Sequence, residues 1–239
     1  MRSFRIYCIP CVVFLLGVGV ACRAPGGGVI PGINKPFQDT NVDKWLDRFE
    51  VESREVYHHR GDIVEAVGLR PGMDVADVGA GTGFFTMLFA RAVLPGGKVY
   101  AVDINTGFLE MIRKRAAEAS LDNVETVLCT QDSASLSPGS IDVAFICDTY
   151  HHFEHPKRTM HSIRLALRPG GRVIIIDFRL DYENMPKNRR EWVTNHVRGD
   201  RATTIREIES YGFKLIDAPD AEYLTENYMI HFEKTGGDR

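Results

Sequence analysis

The chain has 239 residues, 44% hydrophobic and 26% charged, which excludes a disordered or fibrous protein and fits an ordinary globular one. Its 29 Lys and Arg against 32 Asp and Glu give a formal net charge of −3, and without Arg2 and Arg5 the balance is 27 against 32, or −5. Neither leaves the basic footprint of a nucleic-acid-binding surface, and a folded part of roughly 195 residues is large enough to bury one core without disulfides or a structural metal.

From the N-terminus, Arg2 and Arg5 precede a 15-residue apolar run from Ile6 to Val20, and Gly19, Val20 and Ala21 lead into Cys22. This is the layout of a secretory leader, and the run, interrupted by Pro10, is short for a membrane-spanning helix of about 20 residues. Cys22 after Ala21 resembles a bacterial lipoprotein cleavage box, whose cysteine becomes a lipidated N-terminus, although Gly19 stands where a branched aliphatic residue is usual. The expectation is a leader over 1–22 and a Gly/Pro-rich tether over 23–42, placing a domain of residues 43–239 outside the cytoplasm or on a membrane. A plain signal, an uncleaved anchor or a mis-assigned start, which would leave the protein cytoplasmic, are the alternatives. Cys129 and Cys147 are the cysteines of the domain; on separate strands, they are expected as buried free thiols.

Residues 43–67 carry apolar side chains at largely helical spacing, broken at Gly61 and closed by Gly68 and Pro71, which predicts two consecutive helices. Strands β1 (73–78), β2 (98–102), β3 (124–129), β4 (141–147) and β5 (172–178) follow, separated by helical patterns over 84–93, 107–119 and 158–167. Helices over 188–198 and 203–211 and closing strands β6 (213–217) and β7 (228–233) complete the domain. Such alternation predicts an α/β fold with a mostly parallel sheet covered on both faces, and a ligand site beyond the carboxyl ends of its strands.

The strongest motif, Asp77-Val-Gly79-Ala80-Gly81-Thr-Gly83, lies between β1 and a helix. Read as a dinucleotide fingerprint it fails at Phe84, which weakens a nicotinamide oxidoreductase reading. It resembles instead the first motif of class I S-adenosylmethionine-dependent methyltransferases. That resemblance implies a Rossmann-like fold with strand order 3-2-1-4-5-7-6, strand 7 antiparallel, and S-adenosylmethionine as cofactor. It implies that the glycine turn cradles the methionine part and that Asp77 holds its ammonium group. Asp103, at the end of β2 and followed by Ile104, is placed to accept from the ribose hydroxyls. Asp132 and Ser133 after β3 are the candidates for the adenine side, and Asp148 after β4 also belongs to the cofactor-binding set the resemblance implies.

The loop after β4, Cys147-Asp148-Thr-Tyr-His151-His152-Phe, should face the transferred methyl. His151 and His152 are the candidates for a general base or for orienting an acceptor. His151, His152, Glu154 and His155 lack a recognised ligand spacing, and no metal is expected. The loop lacks the Asn/Asp-Pro-Pro-Tyr/Phe form of enzymes that methylate nucleic-acid bases, whereas Leu167-Arg-Pro-Gly-Gly followed by β5 matches the family closely. The likeness runs from about residue 60 to 233 and extends to the small-molecule group called type 11. The segment 45–60 is a candidate lid or a strip packed on the sheet edge. With no separate substrate domain visible and a short connection over 179–187, a small-molecule acceptor is expected, with no nucleic acid, and a membrane only through the leader or its lipid. The alternative is a non-catalytic extracytoplasmic lipoprotein that retains the fold for ligand binding.

Overall fold

The computed structural model describes residues 30, 32–180, 187–217, 219 and 221–236; the leader and the first part of the tether lie outside them. Seven strands form one sheet in the order β3-β2-β1-β4-β5-β7-β6. They are Val124–Leu128, Val99–Asp103, Val75–Val78, Ile141–Cys147, Leu167–Phe178, Asn227–Lys234 and Phe213–Asp217 in that order. The first five pair in parallel and β7 runs antiparallel to both its neighbours.

Strand periodicity of two divides the core between the faces of this sheet. On one face Val75, Val143, Phe145, Ile174, Ile176 and Met229 pack against α3 (Arg60–Val67), α4 (Phe84–Ala92) and α5 (Thr106–Glu118). On the other, Ala76, Ala144, Ile146, Val173, Ile175 and Ile230 meet α6 (Pro156–Ala166) and α8 (Arg201–Ser210). Phe145 is fully buried, with its ring 4.9 Å from the rings of both Phe85 and Phe89. Burying a side chain of that size contributes about 1.5–3 kcal/mol.

The helices change faces between β1 and β4, because right-handed crossovers run outward in opposite directions from that pair. The carboxyl ends of β1 and β4 therefore splay apart and open a crevice. β7, being antiparallel, starts at this same edge, so Asn227 pairs with Phe178 at the mouth of the crevice.

Two expectations need correction. β5, expected to begin at Arg172 after a helix running to Leu167, begins at Leu167 itself; a register shift lets Ile141 pair with Leu167 and Val143 with Arg172, absorbing the Pro-Gly-Gly residues. The tether expected over 23–42 packs on the domain from Ile33 onward: Ile33, Asn34 and Val42 are buried, and Asn105 donates to the carbonyls of Phe37 (2.6 Å) and Asp39 (2.9 Å). Scattered apolar residues after Gly32 supply the burial that composition alone concealed.

Candidate active site

The crevice is a cavity of about 730 Å³ at the carboxyl ends of β1, β2 and β4. Its first wall is the glycine turn after β1. Gly79, Gly81 and Gly83 all have positive φ, at 77°, 53° and 77°, a region that residues with a Cβ enter at a cost. A Cβ on Gly79 would sit 2.2–2.8 Å from the Thr149 side chain, and one on Gly81 would meet Phe49 at 3.4 Å. Gly83 does not line the cavity; it begins α4, and a Cβ there would strike Ile112 at 2.5 Å, so its glycine serves strand–helix packing.

Two buried carboxylates flank this turn. Asp77 accepts from the Thr86 hydroxyl at 2.6 Å, and burial, reinforced by the charge of Asp103, raises its pKa to about 7. Asp103 accepts from the backbone N–H of Gly81 at 2.9 Å and of Asn105 at 2.8 Å, and burial raises it to about 6 against those hydrogen bonds. Both line the cavity, with Ala80, Ile104 and Ser133 beside them. Asp132 does not: it points outward to Arg158 at 2.6 Å and accepts from Thr130 at 2.7 Å, so its carboxylate is spent on the surface of the loop.

Asp148 lines the cavity but is already engaged. It pairs with Arg54 at 2.7 Å and accepts from Asn227 at 2.6 Å, on a backbone with φ of +47°. Arg54 belongs to the segment before the fold, which lies over the crevice. Phe37, Trp45 and Phe49 stack in series at 4.6 and 5.1 Å above the glycine turn. α1 (Leu46–Phe49) is followed by Glu50, which pairs with Arg115. At the start of α2 (Glu55–His58), Glu55 accepts from the backbone N–H of Glu226 and Asn227, both at 2.9 Å. The segment is thus a roof latched to α5 and β7. A sequence reading alone left it divided between lid and edge packing.

The opposite wall is made of histidines. His151 is 2% exposed and its Nδ1 lies 2.7 Å from a carboxylate oxygen of Asp177, itself 1% exposed; Asp177 also accepts from the His151 backbone N–H. The Nε2 of His151 is buried and without a partner among the described residues. His152 Nδ1 meets the Asn34 side-chain oxygen at 3.0 Å. α7 (Lys187–His196) ends on His196, which stacks on Trp192 at 4.3 Å and completes the wall. Burial and the neighbouring imidazoles push His152 down to about 2 and His196 to about 4, so both rings are neutral.

Of the residues singled out in the sequence, Asp77, Gly79, Ala80, Gly81, Asp103, Ile104, Ser133, Asp148, His151 and His152 come together here; Gly83 and Asp132 do not. Sequence reasoning missed Asn34, Asp177, His196 and Asn227, and placed Arg54 in the candidate lid without a partner. Only Asp177 had a signal: an acid inside the apolar strand Val173-Ile-Ile-Ile-Asp177-Phe is costly to bury unless it is paired.

A glycine cradle and two buried acids at a β1/β4 switch point define the class I methyltransferase architecture. A family model described as a methyltransferase domain matches residues 69–221, and the chain belongs to this family of S-adenosylmethionine-dependent methyltransferases. It is 29% identical over 177 residues to the ubiquinone/menaquinone biosynthesis C-methyltransferase UbiE of Burkholderia vietnamiensis, covering 70% of this chain and 65% of that relative's length. Among solved structures, a SAM-dependent methyltransferase from Aquifex aeolicus superposes with a TM-score of 0.69 at 20% identity, over 82% of this chain and 98% of that one. Phosphoethanolamine N-methyltransferase 2 of Haemonchus contortus, solved with S-adenosyl-L-methionine, gives 0.59 at 16% identity, over 82% and 60%. At these identities the likeness is one of fold.

The donor set fits the family's cofactor. Two carboxylates face a cavity whose size lies within the range of roughly 300–1,000 Å³ usual for small-molecule sites, and the turn beside them has no room for a Cβ at Gly79.

Proposed function

We propose that this chain transfers the methyl group of S-adenosylmethionine to a small-molecule acceptor held between the glycine turn and the histidine wall. The observation that carries this reading is the meeting of Asp77, Asp103 and the bare Nε2 of His151 in one cavity under an aromatic roof. Asp77 holds the ammonium group and Gly79, Ala80 and Gly81 the methionine chain. Asp103 accepts from the ribose hydroxyls, with Ile104 and Ser133 beside the base. Asp148 acts through Arg54 and Asn227, keeping the roof in place and the wall shaped. His151, oriented by Asp177, and His152, oriented by Asn34, position the acceptor. When bound, the cofactor supplies a methyl carbon activated by a sulfonium, so the protein's share is alignment and exclusion of water. Similarity to a quinone-biosynthesis C-methyltransferase supports a small acceptor, and the acidic balance of the chain speaks against nucleic acid.

Calorimetry of the full-length protein with S-adenosylmethionine and S-adenosylhomocysteine tests this. Binding is expected for both, weakened at least about tenfold in Asp103→Ala, which loses hydrogen bonds to a charged group. A folded wild-type chain that binds neither ligand would sink the reading.

The leader over 1–22, lipidation at Cys22 and an extracytoplasmic or membrane-attached location belong to the same proposal. They rest on the charge, apolar run and small residues of the N-terminus. Intact-mass analysis of the chain purified from bacterial membranes is expected to show an N-terminus at Cys22 carrying acyl groups; an unprocessed Met1 or an unmodified Cys22 would overturn it.

A further inference from the structure

The histidine wall has a geometry that positioning an acceptor does not require. One ring nitrogen from each of His151, His152 and His196 lies within 4.8 Å of the other two. The ring centroids are 4.3 Å (His151–His152), 5.0 Å (His151–His196) and 5.2 Å (His152–His196) apart. Three imidazoles aimed at one tetrahedral ion through bonds of about 2.1 Å would have centroids about 5.2 Å apart. The two separations that involve His196 match this value, and the His151–His152 pair must open from 4.3 Å.

Hydrogen bonding sets the tautomers. The Asn34 side-chain oxygen and the Asp177 carboxylate only accept, so His152 and His151 each donate from Nδ1, leaving the Nε2 lone pair bare. For His151 that atom is buried and unpartnered among the described residues. A carboxylate fixing the far nitrogen of a histidine is the usual outer support of a metal-ligating imidazole, because it sets the ring's orientation and raises its basicity. His196 is fixed differently, by stacking against Trp192.

We propose that His151, His152 and His196 bind a divalent transition-metal ion of the zinc class, with Asp177 as a positioning residue and the fourth coordination position open to the cavity. Three imidazoles without a protein thiolate or carboxylate ligand suit zinc, copper, iron or nickel and not magnesium or calcium. Sequence spacing gave no hint of this, because His196 lies 44 residues beyond His152 and α7 alone brings it back. Resting on the transferase reading above, the open position would take the ionised oxygen or sulfur of a hydroxyl or thiol acceptor, the displaced proton passing to solvent. An electron pair of that acceptor forms the new bond to the methyl carbon while the carbon–sulfur bond breaks and its pair returns to sulfur.

The test uses untagged full-length protein, stripped with a chelator and titrated with Zn2+ against a chromophoric competitor, and separately with Co2+. The expected result is one equivalent of tight Zn2+ and the intense visible bands of a tetrahedral, nitrogen-ligated Co2+. His196→Ala, at the last residue of α7 and only partly buried, is expected to keep its fold and should abolish the tetrahedral spectrum. Asp177→Asn should bind Zn2+ about 10- to 100-fold more weakly. Wild-type protein with no stoichiometric Zn2+ or no tetrahedral Co2+ spectrum overturns the site without recourse to any variant, as does a folded His196→Ala chain that binds Zn2+ equally well. Because no cofactor is present in these titrations, metal binding by a chain that fails to bind S-adenosylmethionine would refute the transferase reading alone; the reverse outcome would refute the metal site alone.

Discussion

Asp77→Asn is expected to bind S-adenosylmethionine about 10- to 100-fold more weakly than wild type and yet to be the more stable protein. The affinity loss is that of a hydrogen-bonded charge partner for the ammonium group, about 1.5–3 kcal/mol. The stability gain follows from burial. With its folded pKa raised to about 7 from 3.8, Asp77 holds an extra proton in the folded state between these two values, so stability falls as pH rises through this window. Above about pH 7 the folded chain carries a buried carboxylate whose only side-chain partner among the described residues is Thr86, and the neutral asparagine removes that cost, on the order of 2 kcal/mol. Urea unfolding without cofactor should show the variant ahead at about pH 8 and the two proteins converging toward about pH 4. Calorimetry should show wild-type affinity for the cofactor falling as pH drops below about 7, because the ammonium needs the ionised acid. Asp77→Asn should lose that dependence and keep only the fall that follows protonation of Asp103, centred at about pH 6. Equal affinity in the two proteins would remove Asp77 from the cofactor site.

Gly79→Val should abolish measurable cofactor binding, a loss of more than about 100-fold. A β-branched residue is poorly tolerated at a φ of +77°, and its Cβ would start 2.2–2.8 Å from Thr149, so turn and loop must separate where the methionine chain should lie. Gly170→Ala provides the control. Its φ is +74° but nothing lies within 4 Å of the added methyl, so it should lose stability of about 1 kcal/mol with cofactor affinity unchanged. Replacing Thr149 by alanine in the Gly79→Ala background should recover part of the binding by relieving contact but not torsion. Cofactor affinity unaffected by Gly79→Val would place the ligand elsewhere.

The sheet was legible in the sequence because its signals are local. β4 and β6 have the expected bounds and the other strands differ by a few residues, except β5, whose Pro-Gly-Gly start extends the strand instead of turning. The strand order came from the resemblance carried by the glycine motif and the Leu-Arg-Pro-Gly-Gly segment, and the structure has that order. The same motif brought Asp77, Gly79 and Gly81 to the cavity, and the acid at the end of β2 brought Asp103. Asp132 misled because type and position could not reveal that Arg158, one turn into α6, claims it.

By itself the sequence determined the alternation of strands and helices, the β1 glycine turn and the acids at the ends of β1 and β2, since each follows from residue period or from backbone freedom within a few residues. Only the tertiary structure decided that residues 33–58 roof the site, that Asp177 orients His151, that Arg54 and Asn227 claim Asp148, and that His196 joins the histidine wall. Each of these joins residues at least 26 positions apart, and their meeting depends on how elements dock across the sheet edge. Local propensity carries no record of that docking.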